Sequence, residues 1–164
     1  ELGALIVFLR PLGLRLIRGY PGAMTAQRTL VLLKPDAVQR GLRGEIIRRI
    51  EAKGYDILAL AQRTATAEEL AAHYAEHEGK PFYPGLVEYM GAAPLVALVV
   101  EGVNVIKGFR SLAGATNPTE AAPGTIRGDL ACEQDLPVIQ NLVHGSDSEE
   151  SAAREIGIWF PELG

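Results

Sequence analysis

Cysteine is nearly absent from this 164-residue chain: Cys132 stands alone, so no intrachain disulfide can form. That fits a reducing compartment and excludes a disulfide-stapled mini-protein. No apolar run comes near the roughly 18 residues that cross a bilayer, which excludes a polytopic membrane protein. A basic excess is missing too, because 16 Lys and Arg face 20 Asp and Glu for a formal charge of −4. This balance argues against a non-specific DNA coat or a polybasic membrane module, so neither a membrane partner nor a dedicated nucleic-acid surface is expected. The chain contains no GxxxxGK[ST], no GxGxxG and no GxSxG, which removes the common nucleotide-loop and hydrolase signatures.

What is present describes one domain with a core and shaped loops. The 18 glycines and 10 prolines exceed the usual share. Composition shifts at Met24. Residues 1–23 carry three arginines and a single acid, Glu1, whereas 24–164 carry 13 bases and 19 acids. The opening stretch lacks the basic lead and longer apolar region of a secretory signal, and it lacks the serines of a transit peptide. We expect 1–23 to be an extension outside the core, vector-derived, mis-annotated or a native tail, and 24–164 to be the catalytic domain.

Along that domain, residues 29–34 predict a strand ended by Pro35-Asp36, and Ile46, Ile47 and Ile50 mark a helix from Arg43 that stops at Gly54. A second strand follows over 55–62. Thr66 and Glu69 form a capping-box pattern that opens a helix running towards Gly79. Helical turns at 82–91, a strand at 94–100 and a helix at 103–112 come next. Residues 114–140 read as one long irregular loop, 141–144 as a short strand, and 149–160 as a helix capped by Ser148. This order favours an α+β sandwich, with the sheet on one side and helices on the other. A loop of that length in a compact domain is usually functional.

Two histidine features stand out. His73-Tyr-Ala-Glu-His77 matches the inverted zinc-protease pattern H-x-x-E-H, and spacing of four puts both rings on one helix face. A third ligand would have to be His144 or a carboxylate, and the plainer reading is two surface histidines on an Ala/Glu-rich helix. His144, in NLVHGSDS, sits where a strand ends and a helix begins, so unsatisfied helical N–H groups and nearby hydroxyls can organise a phosphate or the ring. On this feature alone the plainer reading is a structural histidine in a polar turn. Lys34, Arg110, Thr116 and Arg127, gathered with a histidine and no acid cluster, would suit phosphoryl transfer, where stabilising charge is the main task. Phe82 alone reads as core.

The stretches RTLVLLKPDAVQRGLRGEII, HYAEHEGKPFYPGLVEYM, GATNPTEAAPGTIRGD and NLVHGSDSEESAAREI occur in this order. Between residues 28 and 161 the chain resembles the nucleoside diphosphate kinase family. The resemblance implies a ferredoxin-like core, a four-stranded antiparallel sheet covered by helices, with a long substrate-binding loop. It implies transfer of the γ-phosphate of a nucleoside triphosphate, typically ATP, to a nucleoside diphosphate by a ping-pong route through a phosphohistidine at His144. Tyr74 and Glu155 would sit beside that nucleophile, and Ser146 would support Glu155 and the helix start. Lys34 and Asn141 would hold the ribose and the transferred phosphate's surroundings. Arg110, Thr116 and Arg127 would hold phosphates, with Phe82 and Val138 on the two faces of the base. Mg²⁺ would be held mainly by substrate phosphates rather than by protein ligands. The resemblance also implies a cytoplasmic homo-oligomer, a hexamer in preference to a tetramer. The alternative is an inactive homologue that binds nucleotide without exchanging phosphate.

One departure lies within the loop. Arg127 and Asn141 stand fourteen positions apart, a longer interval than the family carries, and Ile139-Gln140 replaces its usual Gly-Arg. We expect the added residues to bulge outward and leave the NLVHGSDS block working.

Overall fold

One inner β-strand explains the architecture. In the computed structural model, which describes residues 6–8 and 25–164, strand β2 (Ala26–Leu33) has four consecutive apolar residues, Leu30 to Leu33, with no exposure at all. Side chains alternate between the faces of a strand, so such a run demands cover on both. Val31 and Leu33 enter one core, with Ile46, Ile50 and Phe109. Leu30 and Leu32 enter a second, with Leu70, Met90 and Trp159. Helices therefore pack on both faces, which corrects the expectation of a sheet on one side only.

Strand β3 (Asp56–Arg63), β4 (Leu95–Val103) and β5 (Val143–Gly145) join β2 with antiparallel pairing throughout. A short strand β1 (Ile6–Phe8) pairs with β3, so the sheet order is β1-β3-β4-β2-β5. The four strands of the domain keep the β3-β4-β2-β5 order of a ferredoxin-like sandwich. The rest of the expected extension, residues 1–5 and 9–23, lies outside the described residues.

Seven α-helices are described. Helices α1 (Pro35–Gln39) and α2 (Arg43–Ala52) connect β2 to β3. Pro35, read from the sequence as a stop, opens α1, because proline fits the first helical turn where its missing N–H has no partner to lose. Helix α3 (Ala67–His73) starts at the expected capping box, with Thr66 Oγ1 accepting from the Glu69 N–H and Glu69 Oε2 from that of Thr66. It ends six residues before Gly79, giving way to a 3₁₀ turn at Ala75–His77. Helix α4 (Tyr83–Gly91) and helix α5 (Val105–Ala113) flank β4. The expected long loop contains a helix, α6 (Ile126–Leu130), capped by Thr125 accepting from Gly128. Helix α7 (Glu149–Trp159) follows β5 and is capped by Ser148.

Candidate active site

Strand β5 brings His144 to the edge of the sheet beside Leu32. The residue before the strand, Leu142, has φ of 69°, a left-handed conformation that a branched side chain adopts only when its surroundings impose it. Here they do. Asp36 Oδ2 accepts its N–H at 3.1 Å and the Lys34 N–H donates to its carbonyl at 2.8 Å. The other Asp36 oxygen accepts from the Tyr89 hydroxyl at 2.6 Å. Asp36 is buried and was not singled out in the sequence; it fixes the backbone between Asn141 and His144 from 106 positions away.

The carboxylate of Glu155, 5% exposed on α7, lies 3.0 Å from His144 Nε2 and accepts from Ser146 Oγ at 2.7 Å. Burial would raise the Glu155 pKa, but hydrogen bonds from His144 and Ser146 and the charge of His144 outweigh it and hold it below the ordinary value. An ionised carboxylate only accepts, so His144 Nε2 donates, and in the neutral ring that places the lone pair on Nδ1. Ser146 supports Glu155 as expected. The helix start, however, belongs to Ser148, while Ser146 Oγ takes the N–H of Leu30 at 3.1 Å.

Cations surround this pair. Lys34 Nζ donates to Asn141 Oδ1 at 2.7 Å, and Asn141 Nδ2 donates to the Thr116 carbonyl at 2.8 Å. Arg127 spends Nε, Nη1 and Nη2 on the carbonyls of Asn141, Gly114 and Val143. A guanidinium has five N–H groups, so two stay available. Burial, then the charge of Arg127, lowers Lys34 to about 8, and burial followed by the charge of Arg110 lowers Arg127 to about 10. Arg110 and Thr116 are exposed.

A cavity of about 690 Å³ collects these groups. Its walls include Lys34, Tyr74, Phe82, Arg110, Thr116, Arg127, Val138, Asn141, His144 and Glu155, every residue expected to touch nucleotide or nucleophile. Phe82 caps α4 and is 46% exposed, which corrects its reading as core. Val138 rests against the same helix, its Cγ2 only 3.0 Å from where a Cβ on Gly85 would be. Tyr74 is buried, and burial followed by the charge of Glu155 pushes its phenol well above the ordinary value. Residues 132–137 are all exposed, so the lengthened loop projects outward, tied back where Thr119 Oγ1 donates to Glu133 at 2.7 Å.

The zinc-type pair comes apart. His77 sits in the 3₁₀ turn, accepting from Lys80 Nζ at 2.9 Å and facing the Phe82 ring. His73, expected on the surface, is 3% exposed and accepts the indole N–H of Trp159 at Nδ1. With His144 and Glu155 it brings three potential ligand atoms within 4.8 Å of one another, a cluster that could hold a metal ion.

The family model described as nucleoside diphosphate kinase matches residues 27–163. The chain belongs to the nucleoside diphosphate kinase family. The nucleoside diphosphate kinase of Rhodococcus jostii strain RHA1 is 62% identical over 138 residues, covering 84% of this chain and 96% of that one. That of Streptomyces coelicolor is 61% identical over 136 residues, 82% and 96% of the two chains. Among solved structures, a halophilic nucleoside diphosphate kinase from Halobacterium salinarum in complex with CDP superposes with a TM-score of 0.78 at 43% identity, covering 83% of this chain and 88% of that one. A Borrelia burgdorferi nucleoside diphosphate kinase with bound vanadate and ADP gives 0.77 at 34% identity, over 82% and 87%. At such identities this family member is a catalytic phosphotransferase, and the alternative of an inactive homologue is set aside. Among the described residues, no helix is long and apolar enough to cross a membrane.

Proposed function

We propose that this nucleoside diphosphate kinase works through His144 as a covalent nucleophile. The observation that carries the reading is the bond from His144 Nε2 to Glu155, which leaves Nδ1 with the lone pair. In the first half-reaction Nδ1 attacks the γ-phosphorus of a nucleoside triphosphate. An N–P bond forms, the bond from phosphorus to the bridging oxygen breaks, and the diphosphate departs with that electron pair. Positive charge develops on the ring, and Glu155 stabilises it through the Nε2 proton. An acceptor diphosphate then takes the phosphoryl group by the reverse step, so the kinetics are ping-pong.

Lys34, Arg110, Arg127 and Thr116 would hold the phosphates, neutralising the group in flight. Asn141 and Lys34 would meet the ribose, and Tyr74 the space beside His144. Phe82 and Val138 would grip the base by stacking and apolar contact, which fits acceptance of many bases. The donor set favours Mg²⁺ arriving on the nucleotide. A hard cation selects oxygen ligands, the His73 and His144 rings offer nitrogen, and Glu155 already accepts two hydrogen bonds. Asp147 and Glu76 are the remaining carboxylates on the wall. When bound, Mg²⁺ would neutralise phosphate oxygens.

Residues 24–164 would carry the activity; of the extension 1–23, Ile6–Phe8 adds an edge strand on β3, at the end of the sheet away from β5 and His144. A cytoplasmic homo-oligomer, hexameric in preference to tetrameric, suits the family and the single cysteine. The test replaces His144 with Ala and follows phosphate exchange from ATP to several diphosphates: exchange should vanish while nucleotide binding persists.

A further inference from the structure

We propose that His73 is a positioning residue for His144, a neutral wall that fixes the rotation of the nucleophile's ring; this rests on the phosphotransfer reading above. Helix α7 presents Glu155 and Trp159 one turn apart, on the same face. Each holds one imidazole. Glu155 Oε2 takes His144 Nε2 at 3.0 Å, and Trp159 Nε1 donates to His73 Nδ1 at 3.2 Å. The two imidazoles then meet edge to face, 4.7 Å between centroids at 77°. Helix and rings form a closed frame.

The frame restrains what a single hydrogen bond leaves free. With Nε2 pinned to Glu155, the His144 ring can still pivot about that contact, carrying Nδ1 off line; the His73 ring packed against it blocks the pivot. Tyr74 also packs against the His73 ring, 4.6 Å between centroids at 87°. Arg154 donates to the Ala72 and His73 carbonyls at 3.3 and 3.4 Å, which holds the end of α3 against α7.

The wall must also be uncharged. An indole N–H only donates, so His73 Nδ1 accepts and its proton is on Nε2. Burial and the charges of His144, Arg154 and Lys34 disfavour the imidazolium, and only Glu155 favours it. A neutral ring neither repels the charge that develops on His144 nor draws Glu155 away from it.

The test uses the full chain and three substitutions. His73→Ala removes both wall and acceptor. His73→Asn keeps an amide oxygen for Trp159 but no ring, and His73→Phe restores a ring without the acceptor. Misplacement of about 1 Å can slow a reaction about 100-fold, so His73→Ala and His73→Asn should slow phosphorylation of His144 by about 10- to 100-fold, with KM for ATP within about twofold. His73→Phe should recover most of the rate despite a lower Tm. ¹⁵N spectra should show His144 as one tautomer in the parent and the Phe variant, and as a mixture in the other two. The inference is overturned if folded His73→Ala is phosphorylated at the parent rate, or if rates across the variants simply follow Tm. If the parent chain itself takes no label at His144, the phosphotransfer reading fails and this one with it.

Discussion

Lys34 shows how the pocket tunes a single residue. Its ammonium is buried beside Arg127, and burial with that neighbouring charge brings its pKa from 10.5 to about 8. Below about pH 8 the free enzyme keeps this cation for an incoming phosphate; above it the charge is lost. The kcat/KM for ATP should therefore fall as pH rises through about 8, while kcat persists to higher pH because bound phosphates hold the proton. Lys34→Arg should move that limb beyond the accessible range, and a pH–rate profile of both proteins checks this. Glu155→Gln keeps an acceptor but removes the negative charge, so phosphorylation of His144 should slow about 100-fold with nucleotide affinity little changed; rapid-quench labelling measures it. The residues that line the pocket were legible because the chain carries them in unbroken local runs such as KPFYPG and NLVHGSDS. His73 was misread as a surface residue, since the partner that buries it, Trp159, is 86 positions away. Periodicity along one helix holds no information about such a partner.

At the scale of elements, the site depends on how β5 is entered and left. Asp36 holds the strained Leu142, so Asp36→Ala leaves that buried N–H without its acceptor and should cost about 1–3 kcal/mol. Denaturant unfolding would register the loss, and labelling of His144 should slow in parallel because Leu142 lies between it and Asn141. On the other side of His144, a Cβ on Gly145 would lie 2.4 Å from the Phe109 ring, which is fully buried. Gly145→Ala should destabilise the protein by about 1–3 kcal/mol by overpacking, visible as a lower denaturation midpoint. The long elements were legible from apolar spacing and caps. The five-residue helices α1 and α6 were not, because one turn and a half is too short to display a period of 3.6. The break after His73 was missed for a related reason. Its neighbours Tyr74 and His77 read as a continuing helix, whereas in the fold Tyr74 is drawn into the pocket wall.

Across the whole molecule, one sheet buried on both faces supports a pocket at the end of β5. The continuous apolar runs of β2 and β4 already said as much. The one-sided sandwich read from the element order gave them too little weight. Burial of a neutral His73 ties the fold to pH. Its pKa lies near 3 against an ordinary 6.5, first through burial and then through the charge of His144. The unfolded chain thus binds the extra proton more readily, and this contribution to stability is complete above about 6.5 and lost as pH falls towards 3. Acid unfolding of His73→Asn should accordingly depend less steeply on pH across that window. The account's central claim is the covalent intermediate. The direct measurement incubates the full chain with γ-labelled ATP, maps the phosphate, and then adds an unlabelled diphosphate. The account predicts acid-labile label on His144 that leaves with the acceptor, and none in His144→Ala. Phosphate exchange that persists in His144→Ala, or label carried on another residue and passed to the acceptor, would contradict it.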